Sequence, residues 1–204
     1  MCRLIIFVKA PRPGKVKTRL AAVLGETVAC AAYCRMVAVL RGRLSSLNTV
    51  SLCFSPPEAA EEVRLWLQAG WDLVPQSAGD LGERLKDAFA GAFARGDRRV
   101  VIIGSDSPAI TQGDIELAWT ALNSHEIVLG PARDGGYWLI GLRQPQPQLF
   151  QNMVWSTPKV LRETLERASA SGFSVKLLHE LDDIDTAADW EQFLRDEAKN
   201  DGAP

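Results

Sequence analysis

The chain has 204 residues and a formal net charge of -2, with 47% hydrophobic and 24% charged residues. That size suits one domain, 1–204, able to bury roughly 70% of its unfolded surface without staples. The near-neutral charge excludes a chain built as a whole to lie on nucleic acid or on an anionic membrane, so any anion site must be local.

No apolar run reaches the ~18 residues of a membrane span. The run before Lys9 is too short for a signal-peptide core, so the expected location is cytoplasmic. Cys2, Cys30, Cys34 and Cys53 form no CxxC pair and read as buried, reduced thiols; with only His125 and His179, histidine-rich metal sites are excluded.

In chain order, LIIFV at 4–8 reads as a buried strand. A helical region follows over 17–44, with a break near Gly25. Residues 50–54 form a strand and 58–67 a helix, then 71–74 a short strand. Helical spacing over 81–94 ends at Gly96. The β-branched run 100–103 predicts a strand covered on both faces. A helix over 111–122 takes Thr111 as N-cap. Strands 127–129 and 137–142 flank a Gly-rich turn. Ser156 opens a helix ending near Gly172, 175–178 is the last strand, and 186–198 is a closing helix with Thr186 as N-cap and Asp189 at its third position. This alternation predicts an α/β fold, a three-layer αβα sandwich around a mostly parallel sheet. Such sheets bind ligands beyond the carboxyl ends of their strands, where the strand order switches direction.

Four loops carry candidate chemistry. KAPRPGKVKTRL at 9–20 holds five cations, Lys9, Arg12, Lys15, Lys17 and Arg19, and no acid. Cations near a helix N-terminus oppose the helix dipole unless an anion is bound, which suggests a phosphate site; a solvated basic loop is the alternative. It is not a Walker A loop, because Val16 follows Gly14-Lys15. IGSDSP at 103–108 puts Asp106 just past a strand, a natural Mg²⁺ ligand or simply a turn residue. Asp134-Gly135-Gly136 is first a turn signal, with Asp134 expected to bond its own backbone, and the glycines also allow close ligand approach. Asp182, Asp183 and Asp185 cluster before the last helix, either to hold a cation or to serve the helix N-terminus. Together these residues suit Mg²⁺-assisted chemistry on a phosphorylated or nucleotide substrate.

KAPRPGKVKTRL, GDLGERL, IGSDSPAIT, VLGPARDGGYWLIGL, WSTPKVL and DIDTAADW, in this order, resemble a bacterial family of GT-A-like proteins. Its members are described as glycosyltransferases or nucleotide-diphospho-sugar transferases, sometimes as selenodomain-associated transferases, and its wider relatives include molybdenum cofactor guanylyltransferases and 2-phospho-L-lactate guanylyltransferase. The resemblance implies a nucleotide-diphospho-sugar transferase (GT-A) fold with a mixed sheet. It implies Asp106, Asp183 and Asp185 as ligands of Mg²⁺ or Mn²⁺, with Lys17, Arg19 and Asp106 as the catalytic set. Lys9, Arg12, Lys15, Gly135, Gly136, Ser156 and Thr157 are the expected phosphate- and substrate-binding residues. The implied partners are a nucleotide or nucleotide-sugar and a small phosphorylated or hydroxyl acceptor. The chain departs from the nucleotidyltransferase pattern in its Pro- and Lys-rich first loop, and from Asp-x-Asp in having Pro108 as the second residue after Asp106. Those departures keep open a non-catalytic nucleotide- or phosphometabolite-binding protein as the second reading.

Overall fold

The computed structural model describes residues 1–201. Strands β1 (Cys2–Lys9), β2 (Val50–Ser55), β3 (Trp71–Pro75), β4 (Arg99–Ile103), β5 (Ile127–Pro131), β6 (Tyr137–Leu142) and β7 (Val175–Leu177) form one sheet. Its order is β3-β2-β1-β4-β6-β5-β7. All pairings are parallel except those of β6, which runs antiparallel to both β4 and β5. The helices are α1 (Thr18–Leu24), α2 (Glu26–Arg43), α3 (Ala60–Arg64), α4 (Leu81–Ala94), α5 (Gln112–Ala121), α6 (Val160–Ala170) and α7 (Ala187–Asp201).

The period-2 alternation of β1 builds two cores at once. Leu4, Ile6 and Val8 face one side, where Val37 and Leu40 of α2 and Ile115 and Ala118 of α5 cover them. Ile5 faces the other, against Leu85 and Phe89 of α4 and Ala168 of α6. Because both faces are covered, β1, β2 and β4 need nearly continuous apolar runs, which is how they read in the sequence. A third cluster joins Leu20 of α1, Met36 of α2 and Ile184, with Trp190 and Phe193 of α7 packed on it. The three-layer α/β sandwich with its mixed, mostly parallel sheet is therefore as expected. Among the described residues no helix is long and apolar enough to cross a membrane. The four cysteines are free as expected, but only Cys30 and Cys53 are buried; Cys2 and Cys34 are partly exposed.

Two local expectations change. The predicted helix over 58–67 is a 3₁₀ turn at Pro57–Ala59 followed by the five-residue α3. Its end tightens into i→i−3 bonds, with Trp66 N donating to Val63 O and Leu67 N to Arg64 O. α6 starts at Val160 rather than Ser156, because Ser156 has φ 60 and Pro158 keeps Thr157 out of the helical region. The break expected near Gly25 is present, dividing 17–44 into α1 and α2, and Lys17 itself is the left-handed N-cap of α1, at φ 47 and ψ 49.

The strand order reverses between β1 and β4. β2 and β3 lie on one side of β1, and β4 and every later strand on the other. That is the switch point, and the carboxyl ends of β1 and β4 open there side by side.

Candidate functional site

A cleft of about 580 Å³ lies at this switch point. That volume falls in the usual range for one small ligand. Its floor comes from the ends of β1 and β4, one wall from Lys17 and Arg19, and the other from residues 79–85 at the start of α4. Asp106, Tyr137, Ser156 and Asp185 complete the rim.

Local chemistry sets each part. β4 ends at Ile103, and Gly104 and Ser105 carry the chain to Asp106. The acidic loop before α7 is fastened to this turn: Ile184 N donates to Asp106 O (3.1 Å), and the Ser107 hydroxyl donates to the Asp183 carboxylate. Leu181 N bonds Pro131 O and Arg133 N bonds Leu181 O, tying the same loop to the end of β5. Two acid clusters far apart in sequence thereby meet at one edge of the sheet. Asp185 and Thr186 donate their amides to Asp189, and the Thr186 hydroxyl accepts from Asp189 N, so the expected cap of α7 is present.

The Lys17 ammonium lies at the centre. Its Nζ is 2.8 Å from Asp106 Oδ1 and 3.1 Å from Asp185 Oδ1, on a side chain only 4% exposed. Burial works to lower its pKa, yet Asp106 and Asp185 outweigh it and hold the pKa above the ordinary lysine value. Arg19 reaches Asp185 Oδ2 at 3.1 Å from an exposed position. Asp183 behaves differently. Burial, helped by Asp106 and Asp134, pushes its pKa up to about 6, against the opposing effects of Ser107 and Lys17.

The expected site residues separate into those that meet and those that do not. Asp106, Asp185, Lys17, Arg19, Lys9 and Ser156 face the cleft. Arg12 does not: its guanidinium pairs with Glu62 (2.6 Å) and Glu58 (3.3 Å). The apparent lack of acids around the basic loop is thus a property of the sequence alone. In three dimensions Glu58, Glu62, Asp106 and Asp185 answer three of its five cations, while Lys9 and Lys15 have no ion pair among the described residues. Lys15 is exposed and does not line the cleft.

Gly135 and Gly136 are not cleft residues either. Asp134 Oδ1 accepts from Gly136 N (2.8 Å), so this carboxylate serves the turn, and Gly135 packs on the backbone of Pro158. Thr157 turns its hydroxyl to Val154 O. The expected trio of metal ligands is also not assembled. Among the described residues no group of three or more His, Cys, Asp or Glu is placed to hold an ion, because Asp183 is held inward by Ser107 and Lys17 stands between the other two carboxylates.

Several residues escaped sequence reasoning. The Tyr33 hydroxyl accepts from Lys9 N (2.9 Å) and bonds Ser105 Oγ (3.1 Å), joining the ends of β1 and β4. Burial raises its pKa. Gln76 donates to Cys53 O (2.8 Å) and Val8 O, closing the carboxyl ends of β2 and β1, and Arg84 donates to Gly79 O (3.1 Å). Tyr33 lies mid-helix with nothing in its neighbourhood to mark it. The wall at 79–85 had a signal: Asp80 and Glu83 are spaced as a capping box, and the structure contains one.

A family model described as "Uncharacterized protein conserved in bacteria (DUF2064)" matches residues 40–157. A crystal structure from Desulfovibrio desulfuricans, provisionally assigned as a nucleotide-diphospho-sugar transferase, superposes with a TM-score of 0.90 at 34% identity, covering 96% of this chain and 87% of that one. CMP:2-keto-3-deoxy-manno-octonic acid synthetase in complex with CTP superposes at TM-score 0.62 and 12% identity, over 98% of this chain and 99% of that chain. A manganese complex of a Mycobacterium tuberculosis protein does so at 0.56 and 17%, over 95% and 98%. The last two likenesses are of fold alone. No curated protein matches the chain. The fold is that of the nucleotide-diphospho-sugar transferases.

Proposed function

The chain belongs to the DUF2064 family of bacterial proteins and has a nucleotidyl- and glycosyl-transferase type of fold, and from that premise we propose that it is a metal-assisted transferase acting on a nucleotide or nucleotide-sugar. The observation that carries the reading is the convergence of Lys17, Arg19, Asp106 and Asp185 on one cleft at the switch point of the sheet. Cations beside paired carboxylates suit a phosphate whose charge grows as its bond breaks.

In the nucleotidyl form, an acceptor oxygen attacks the α-phosphorus of a nucleoside triphosphate and the α–β phosphoanhydride bond breaks. Pyrophosphate leaves with the electron pair. Arg19, exposed at the rim, and the Lys17 ammonium are the groups in position to bind the departing phosphates. The wall at 79–85 and the floor at Gly104 and Ser105 bound the space left for the nucleoside. Tyr33, bonded to Lys9 and Ser105, holds the ends of β1 and β4 together as the floor under the reacting phosphates, so catalysis is mainly positioning. In the glycosyl form the same cations bind a nucleoside diphosphate leaving group.

A divalent cation would be held by Asp106 and Asp185. The pair already stabilises a positive charge, the Lys17 ammonium, and two carboxylates completed by substrate phosphates and water are an ordinary ligand set for Mg²⁺ or Mn²⁺. When bound it supplies charge neutralisation at the leaving phosphate. Asp183, bonded to Ser107, belongs to the support of that loop.

The test is product analysis with purified chain, a panel of nucleoside triphosphates and nucleotide-sugars, and phosphorylated or hydroxyl acceptors, with Mg²⁺ or Mn²⁺. Pyrophosphate release identifies nucleotidyl transfer, and nucleoside diphosphate release identifies glycosyl transfer. Tight nucleotide binding with neither product across the panel would replace this reading by a binding protein on a transferase fold.

A further inference from the structure

We infer that Lys17 is an internal counter-ion that occupies the divalent-cation position and yields it only when a phosphate enters the cleft. The inference rests on the proposed function for the placing of the metal and of that phosphate; the pairing of Lys17 with both carboxylates stands on geometry. Lys17 Nζ makes close contacts with Asp106 and Asp185 at once. The two carboxylates keep 51% and 38% of their side-chain surface exposed, whereas the lysine keeps 4%. The acids therefore remain open to solvent and ligands, and the cation between them is the enclosed member.

The backbone fits this placement. Lys17 is one of three non-glycine residues with positive φ among those described. A left-handed lysine at the N-cap of α1, with no side-chain cap bond there, is uncommon and turns its side chain toward the β4 turn instead of along the helix.

A tethered ammonium competes with a free ion for the same oxygens at high effective concentration. A divalent ion entering beside it would face a like charge at close range, in a position partly shielded from water. Displacing the lysine into solvent would cost it both carboxylates. A phosphate in the cleft changes this balance, because it offers the ammonium a new anionic partner and leaves Asp106 and Asp185 free for the metal. Metal and phosphate binding then support each other, and by linkage the effect is reciprocal. Such a device keeps metal from binding unproductively and ties its arrival to substrate.

The experiment is a Mn²⁺ titration followed by the electron paramagnetic resonance signal of free Mn²⁺, with no nucleotide present. Lys17→Met keeps the length of the chain and removes the charge. Lys17→Asn removes the charge with a residue that tolerates the left-handed region, and serves if the Met variant does not fold. At least a tenfold gain in Mn²⁺ affinity over wild type is expected, and Asp106→Asn added to either variant should abolish it. Affinity equal to or below wild type, or a gain that survives Asp106→Asn, overturns the inference. The outcomes also separate it from the transferase reading. A gain in a chain that turns over no nucleotide upholds the counter-ion and sinks only the transferase, and turnover without a gain does the reverse.

Discussion

Substituting Gly135 by Ala separates packing from ligand access at the Asp-Gly-Gly turn. Gly135 has φ +87, and a Cβ built there would lie 2.3 Å from Pro158 O, 2.6 Å from Pro158 Cα and 2.7 Å from its carbonyl carbon. All three are backbone atoms, and the segment is pinned further by Leu161 N donating to Gly135 O at 2.9 Å. The left-handed conformation alone costs an L-residue about 1–2 kcal/mol. Overpacking against a neighbour that cannot rotate away adds about 1–3 kcal/mol. Gly172 provides the control, since it has φ +71 and nothing within 4 Å of its would-be Cβ. Gly172→Ala should therefore show the strain alone, and Gly135→Ala the strain plus the clash. The expected difference between the two is about 2 kcal/mol by urea denaturation, or roughly 4–8 °C in Tm for a chain of this size. Equal costs for the two variants would refute the packing argument and return Gly135 to the ligand.

Arg12→Ala should leave pyrophosphate affinity within about twofold of wild type while Arg19→Ala weakens it by tenfold or more, because the Arg12 guanidinium is paired with Glu58 and Glu62 and Arg19 lines the cleft; isothermal titration of both variants checks this, and equal losses would contradict it. Asp183→Asn should stabilise the protein in a pH-dependent way. The folded carboxyl keeps its proton up to about pH 6 while the unfolded one loses it near 3.8. Wild-type stability therefore falls as pH rises between those values, and the cost that remains above them is roughly 3 kcal/mol. The variant escapes that cost, so the gap in urea midpoint should be absent below pH 4, open toward pH 6 and stay constant above. A gap of the same size at pH 3 and pH 7 would show that burial of the Asp183 charge is not its origin.

Much of the fold was legible because its signals are local. The β-branched run at β4 and the apolar β1 mark strands covered on both faces, and Thr111 alone and Thr186 with Asp189 mark helix starts, each needing only a few neighbouring residues. The order of strands and helices followed, and with it the edge of the sheet where ligands bind. Asp106 could be singled out because a carboxylate directly after a buried strand has a position that sequence alone reveals. The partners of the charges were a different matter. KAPRPGKVKTRL reads as an unanswered run of cations, yet Arg12 finds its acids on the 3₁₀ turn and α3, and Lys17 and Arg19 find theirs after β4 and before α7. Asp183 and Asp185 are two residues apart, and the backbone sends one inward to Ser107 and the other to Lys17. A charge acts through space over a few ångströms, and sequence distance says nothing about which groups closure of the sheet brings that near. The sequence by itself therefore determined most of the elements, the layers and the edge that carries the cleft, and the tertiary structure decided how 58–67 and 156–160 fold and which cation faces which carboxylate.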